Sequence, residues 1–184
     1  MKRLRGRCIV AVFGGVVISE VTFVLGGVRS GKSRYAEAVV RRWPAPWVYV
    51  ATAQAFDEEM RDRIEAHRGR RGDGWTTVEA PVALGQALDA AGARPVLVDC
   101  LTLWLTNLML GGGDVAAAVA GLESALERRV APTVLVSNEV GMGIVPESAL
   151  GRGFRDQAGI LNQRVAALAG QVVFMIAGLP LVLK

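Results

Sequence analysis

Cysteine and histidine are scarce in this chain of 184 residues, which holds two cysteines and one histidine. Cys8 and Cys100 lie far apart in the sequence. They cannot form the disulfide framework of a small secreted domain, and they lack the close spacing of zinc ligands. The composition therefore favours a protein of a reducing compartment, and we expect it to be cytoplasmic.

A broad basic surface is also missing. The formal net charge is +4, and residues 1–20 account for +3 of it, which leaves +1 for the other 164 residues. Nucleic-acid-binding domains concentrate positive charge on one face, so a DNA or RNA partner is not expected.

No hydrophobic run near the N terminus is long enough to cross a bilayer. The segment CIVAVFGGVVI (8–18) has 11 residues and follows a basic stretch, as in a secretory signal, but no A-x-A-like cleavage site comes after it. We therefore expect no membrane span. We interpret residues 1–19 as an N-terminal extension (an added strand, a disordered segment or a start codon placed too early) and residues 20–184 as one domain.

Short apolar segments alternate with helix-length segments through the rest of the chain. The apolar segments are unbroken, as in strands that are buried on both faces of a parallel sheet. This rhythm predicts an α/β fold with helices on both faces of the sheet and ligands outside the carboxyl ends of the strands. We predict strands at 21–25, 47–51, 95–99, 133–137 and 171–177, a short strand at 76–80, and helices at 32–43, 57–69, 81–91, 101–110, 115–129 and about 151–169.

Residues 26–33 (GGVRSGKS) match the pattern G-x-x-x-x-G-K-[ST] between a predicted strand and a predicted helix. Glycines let the backbone curl so that its N–H groups point at phosphate oxygens, and the helix N-terminus adds positive potential. In this pattern the lysine reaches the β- and γ-phosphates and the next hydroxyl is a magnesium ligand. We predict nucleotide contacts from Gly26, Gly27, Val28, Arg29, Ser30, Gly31, Lys32 and Ser33, with Lys32 also catalytic.

The use of lysine supports this interpretation. The chain has 18 arginines but three lysines, Lys2, Lys32 and Lys184, and two of these lie at the termini. A compact ammonium on a flexible stem fits between phosphates, whereas a planar guanidinium does not. A lysine kept at position 32 in an arginine-rich chain therefore favours phosphate binding over an accidental glycine-rich turn.

An acidic residue ends the predicted strand at 95–99. Asp99 in this position is typical of a carboxylate that reaches the magnesium ion of a bound nucleotide. The alternatives are that Asp99 caps the helix predicted at 101–110, or that Glu139, after the strand at 133–137, is the metal-binding carboxylate. We predict that Ser33 and Asp99 hold Mg²⁺.

The single histidine, His67, lies in the helix predicted at 57–69 and shares a face with Met60 and Ile64. A packed imidazole and a functional one are both consistent with that position. Three arginines follow within residues 68–71 (RGRR), and guanidinium groups beside an imidazole suit a phosphoryl group in transfer. A neutral imidazole can also act as a nucleophile toward phosphorus. The alternative for the arginines is a solvated helix end.

Several segments together resemble the adenosylcobinamide kinase/adenosylcobinamide-phosphate guanylyltransferase family. The resemblance runs from about Val21 to the C terminus without large gaps, and residues 1–19 lie outside it. The matching segments are GGVRSGKSRYAEAV (26–39), DEEMRDRIEAHRGRR (57–71) with the following Trp75 and TVE, LVDCLTLWLTNL (97–108), SNEVGMGIVP (137–146) and GRGFRDQAGILNQRVA (151–166).

The resemblance implies a three-layer, RecA-like P-loop fold and two reactions. ATP or GTP phosphorylates adenosylcobinamide, and GTP then donates GMP to that phosphate through a GMP-histidine, for which His67 is the matching residue. Some relatives carry two adjacent histidines there, but here Ala66 precedes His67. Family members tend to form trimers. The resemblance places Ala51, Thr52 and Ala53 near the nucleotide, Arg68, Gly69, Arg70 and Arg71 against phosphate or ribose, and Glu79 and Asp99 in contact with the nucleotide.

Two other functions remain open from the residues. A small-molecule P-loop kinase without a covalent nucleotide would use the glycine-rich loop and leave His67 structural. A non-catalytic regulator would bind nucleotide without turnover, although Lys32, Ser33, Asp99 and His67 argue against it.

Overall fold

A computed structural model describes residues 20–54, 58, 69 and 72–184. The extension at 1–19 and nearly all of the helix predicted at 57–69 lie outside the described residues, although Glu58 and Gly69 are both helical. The boundary between extension and domain therefore stays a prediction.

The described residues form one seven-stranded sheet. Its strands, in chain order, are β1 (Val21–Gly26), β2 (Trp47–Ala51), β3 (Trp75–Glu79), β4 (Val96–Asp99), β5 (Thr133–Asn138), β6 (Gln171–Ile176) and β7 (Leu179–Val182). Across the sheet the order is β3-β2-β4-β5-β1-β6-β7, and every neighbouring pair is parallel except β6 and β7. The six predicted strands are confirmed to within one residue at each end, so the mostly parallel sheet is confirmed.

The seventh strand, β7, was not predicted. Ala177 and Gly178 have φ values of 52° and 82°, and two positive values in a two-residue hairpin loop are those of a type I′ turn. The turn pairs Ile176 with Leu179 and sends β7 back along β6. The sequence Ala-Gly lacks the asparagine or aspartate that usually marks this turn, and Pro180 lies on an edge strand, where proline is tolerated.

Five helices with full boundaries connect the strands in the described part of the chain. They are α1 (Lys32–Val40), α2 (Leu84–Ala90), α3 (Leu101–Leu110), α4 (Val115–Arg128) and α5 (Ala149–Leu168). The helix predicted at 101–110 is confirmed at both ends, and the others differ by up to three residues at an end. Side-chain caps mark two of the starts: Asp114 accepts from the Ala117 N–H at 3.0 Å, and Ser148 accepts from the Gly151 N–H at 3.1 Å.

The core lies on both faces of the sheet. Phe23 and Val24 are neighbours in β1 and are fully buried, but their side chains belong to separate hydrophobic clusters on opposite faces. Val39 of α1 packs in one cluster, and Trp104 of α3 packs in the other. Helices therefore cover both faces, and the prediction of a three-layer P-loop fold is confirmed.

Among the described helices, none combines the length and the apolar character that crossing a bilayer requires.

Candidate functional site

The predicted nucleotide-binding residues that the structure describes gather at the carboxyl edge of the sheet. Glu79, Ala51 and Asp99 lie in one row across β3, β2 and β4, because Ala51 is in register with both of the others. Adjacent strands are about 4.8 Å apart, so this row spans roughly 10 Å. β5 separates β4 from β1, and the segment that follows β1 contains residues 26–33, here called the glycine loop.

Glycine is required where the glycine loop leaves the sheet. Gly26 has φ of 153°, and a Cβ added there would lie 2.5 Å from the Met175 carbonyl oxygen and 2.8 Å from the Ser30 Oγ. No real side chain accepts such contacts, so any other residue would force the loop away from β6. Gly31, which precedes α1, has φ of 94°, a left-handed conformation that favours glycine.

Neighbouring segments hold the glycine loop on both sides. The Glu139 N–H donates to the Gly26 carbonyl at 3.1 Å, and the Gly178 N–H donates to the Ser30 carbonyl at 3.1 Å. The loop after β5 and the β6–β7 turn therefore brace the glycine loop. Sequence reasoning missed the part played by Gly178, and the Gly-Leu-Pro run at 178–180 was the one local signal of a turn there.

Lys32 is buried at the start of α1, with 7% of its surface exposed. Its ammonium Nζ donates to the Gly27 carbonyl at 2.6 Å, so the side chain lies across the loop that it would close around a phosphate. Burial lowers the pKa of the Lys32 ammonium, while Cys100, once its thiol ionises at high pH, and the Asp99 carboxylate oppose that shift. An anionic phosphate in the loop would favour the charged form of this lysine.

Asp99 is the last residue of β4, and one of its carboxylate oxygens is buried. Its Oδ2 is buried and has no hydrogen-bond partner among the described residues. The residue that caps α3 is Cys100, and it makes no side-chain capping bond, so the alternative role of Asp99 as a helix cap has no support. A buried oxygen without a partner is costly to a fold, and a cation ligand role accounts for it. Ser33 lies half-buried in the first turn of α1.

The Cys100 thiol is buried beside this carboxylate. Burial and the charge of Asp99 raise the pKa of Cys100 to about 11. The thiol is therefore protonated and a poor nucleophile near neutral pH.

The residues predicted after β2 divide into two environments. Ala51 and Ala53 are partly exposed at the carboxyl edge, whereas Thr52 is fully buried. The Thr52 Oγ1 donates to the Cys100 carbonyl at 2.7 Å and accepts from the Cys100 N–H at 2.8 Å. Asn107 donates to the Thr52 carbonyl at 2.8 Å. Thr52 thus fixes the end of β2 against the end of β4, and the nucleotide contacts of residues 51–53 stay predictions.

A polar network that sequence reasoning missed joins the end of β5 to α3 and α5. The Thr102 Oγ1 accepts from the Asn138 N–H at 2.7 Å and is 3.3 Å from the Ser137 Oγ. The Asn162 amide donates to the Asn138 carbonyl at 3.4 Å. These residues are spread over 60 positions, so no local pattern could have grouped them. The network sets the direction in which residues 139–147 leave the sheet.

Four predicted residues, His67, Arg68, Arg70 and Arg71, lie outside the described residues. Gly69, which lies among them in the sequence, is exposed and helical. The roles of His67 and the three arginines stay predictions.

Known proteins resemble this chain over most of its length. A family model described as cobinamide kinase / cobinamide phosphate guanyltransferase (CobU) matches residues 22–183. The chain is 46% identical over 167 residues to the bifunctional adenosylcobalamin biosynthesis protein CobP of Pseudomonas aeruginosa, covering 88% of this chain and 95% of the relative. It is 42% identical over 178 residues to the bifunctional protein CobU of Escherichia coli K12, covering 88% and 98%. The CobU protein of Salmonella typhimurium LT2 gives the same identity and coverage.

Solved structures give a more distant likeness. The VirB11 ATPase of the Brucella suis type IV secretion system is 10% identical, with a TM-score of 0.46 over 90% of this chain and 49% of that chain. An ATPase of the type III secretion system of pathogenic bacteria is 11% identical, with a TM-score of 0.48 over 85% and 51%. The chain spans about half the length of these two proteins, and neither likeness bears on its function.

Proposed function

The chain belongs to the cobinamide kinase / cobinamide phosphate guanyltransferase family, and from that premise we propose how its site carries out the two transfers. It is a transferase with both of these activities. The proposed order is phosphorylation of adenosylcobinamide by ATP or GTP, followed by transfer of GMP from GTP to the new phosphate. The observation that carries the proposal is the glycine loop held on both sides, with the Lys32 ammonium bonded across it. Near it lies the buried Asp99 oxygen, which has no hydrogen-bond partner among the residues that the structure describes.

In the kinase step the glycine loop would hold the triphosphate by its backbone N–H groups. Lys32 would offset the charge that develops on the β- and γ-phosphates as the terminal phosphoryl group passes to the aminopropanol hydroxyl of adenosylcobinamide. Phosphoryl transfer depends on positioning and charge more than on covalent chemistry by the protein. A site that fixes one ammonium inside a loop held on both sides supplies the positioning and the charge.

The Asp99 carboxylate and the Ser33 hydroxyl would hold Mg²⁺. The donor set fits this ion, because magnesium prefers one or two protein oxygens together with phosphate oxygens. The buried Oδ2 of Asp99, which no described residue hydrogen-bonds, supports the assignment. When bound, the ion neutralises charge on the phosphates.

In the guanylyl step we propose that the His67 imidazole attacks the α-phosphorus of GTP. A nitrogen–phosphorus bond forms as the bond to the pyrophosphate oxygen breaks, and pyrophosphate leaves. The phosphate of adenosylcobinamide phosphate then attacks the same phosphorus, which frees His67 and gives adenosylcobinamide-GDP. The sequence supports this step, since His67 is the one histidine and residues 68–71 provide three guanidinium groups for the phosphates.

The function is tested by following two labels in GTP. We expect γ-label in adenosylcobinamide phosphate, and α-label in the GDP-linked corrinoid with release of pyrophosphate. A kinase without the second activity would transfer γ-label alone. Nucleotide binding without transfer of either label would indicate a regulator and would contradict the proposal.

Asp99→Asn keeps the shape of the side chain and removes its charge. We expect the Mg²⁺ concentration for half-maximal kinase activity to rise about ten- to a hundredfold, because metal sites lose at least this much when a ligand is weakened. A Mg²⁺ titration of initial rates measures it. Asp89→Asn is the control, since Asp89 is an exposed residue of α2 that pairs with Arg128. An unchanged titration for Asp99→Asn would shift the metal role to Glu139.

We also propose that the protein is a homo-oligomer, a trimer as the family resemblance of its sequence implies. Apolar side chains exposed on β7 and just after it support an interface: Leu179, Leu181, Val182 and Leu183. Light scattering of the wild-type protein tests this, with a mass of three chains as the expected result and a mass of one chain as the result that contradicts it.

A further inference from the structure

Residues 139–147 connect β5 to the start of α5 and are called here the apolar loop. Met142 and Ile144 are 81% and 98% exposed, and Val145 is also exposed. Val28 in the glycine loop is 79% exposed at the same edge of the sheet. Isolated apolar side chains are normal on a protein surface, but a group of them beside a binding loop marks a site of interaction.

Hydrogen bonds hold the apolar loop at both ends. The Gly141 N–H donates to the Glu139 carboxylate, and Arg155 of α5 donates to the Gly141 carbonyl at 2.7 Å. Arg152 donates to the carbonyls of Pro146 and Glu147 at 3.2 and 2.6 Å. The loop thus presents its apolar side chains from a fixed backbone, which lowers the entropy cost of binding.

The apolar loop begins beside the phosphate site. Asn138, the last residue of β5, is in register with Gly26, so the two backbones are about 4.8 Å apart. Met142 follows four residues later, so even an extended chain places it no more than roughly 19 Å from Gly26. A large ligand lying on this loop can therefore extend one side arm to a phosphate held by the glycine loop.

We propose that the apolar loop, together with Val28, binds the corrin ring of the acceptor. This inference rests on the proposed function. In that function the acceptor has a broad ring with methyl-lined edges, and its reacting hydroxyl lies at the end of a side arm. Contact with the loop removes apolar surface from water on both partners. The ring then stays outside the glycine loop while the hydroxyl enters it.

The test is the double variant Met142→Ser/Ile144→Ser. We expect its KM for adenosylcobinamide in the kinase assay to rise about ten- to a hundredfold, because two exposed apolar side chains lose their contact area with the ring. The KM for the nucleotide should stay within about twofold of wild type, since the glycine loop is unchanged. Val130→Ser is the matched control, because Val130 is 80% exposed but lies between α4 and β5 at the amino edge.

Calorimetric binding of adenosylcobinamide provides a readout that does not need turnover. Weaker binding to the double variant with an unchanged molecular mass supports the inference, even if the wild-type protein shows no transfer and the proposed function falls. Equal binding by the double variant, the control and the wild-type protein overturns it. A double variant that loses corrinoid binding together with its oligomeric mass also overturns it, because the loop is then a contact between copies of this chain.

Discussion

Lys32→Ala is expected to lower both the kinase and the guanylyltransferase activity by about a thousandfold, the loss typical of removing one charged or hydrogen-bonding group from a transition-state site. Lys32 is buried within the glycine loop, and its ammonium donates a hydrogen bond to the Gly27 carbonyl of that loop. Initial rates of γ-label and α-label transfer measure the two losses.

Lys32→Arg should not restore either activity, because the planar guanidinium does not occupy the space of a compact ammonium. Lys184→Ala is the control, since Lys184 is exposed and donates to the carbonyls of Ala166 and Ala167 at the end of α5. If Lys32→Ala reduced one activity and left the other intact, the two transfers would not share the glycine loop.

The free energy of unfolding of Lys32→Ala shows whether a loss of activity comes from the missing ammonium or from an unfolded protein. Burial lowers the pKa of Lys32 below 10.5, so folding disfavours its charged form. In the wild-type protein this penalty is present below the lowered pKa and disappears as the pH rises toward 10.5. The variant lacks this penalty. Its free energy of unfolding near neutral pH should therefore not decrease because the charge is lost. Denaturant titration at several pH values checks this.

His67→Ala is expected to abolish the acid-labile α-label on the protein and to lower guanylyl transfer by at least about ten-thousandfold, as removal of a nucleophile does in other covalent enzymes. Kinase activity should stay within about tenfold of wild type, because the γ-phosphoryl transfer is assigned to Lys32 and the glycine loop. Trapping with α-labelled GTP, followed by peptide mapping, measures the first effect.

His67→Gly offers a further control, since free imidazole added to it should recover part of the guanylyl transfer if the missing group is the nucleophile. Two results would contradict the role given to His67. Undiminished label in His67→Ala would show that another side chain carries the nucleotide. Equal loss of both activities would show that His67 does not act in the second transfer alone.

The strands and the glycine loop could be predicted because their signals are local. β2 begins and ends where its apolar run does, and the loop between β1 and α1 follows from the spacing of Gly26, Gly31 and Lys32. β7 could not be predicted, because its Ala-Gly turn lacks the asparagine or aspartate typical of this turn and its Leu-Pro-Leu-Val segment is exposed, without a buried pattern. The end of α1 and the start of α2 differ from the prediction by three residues, because Pro44 and Pro81 limit how far a helix can extend but do not fix its last or first turn.

The sequence by itself determined which side chains are proposed to act on a nucleotide: a glycine loop with one lysine, a carboxylate at a strand end, and a single histidine beside three arginines. Each depends on residue identity and short spacing. Only the tertiary structure decided that β5 lies between β1 and β4, which puts the apolar loop against Gly26. It also decided that an Asp99 oxygen is buried without a hydrogen-bond partner in the part of the chain that the structure describes. Strand order depends on pairing and packing between segments far apart in the chain, and no local pattern contains it.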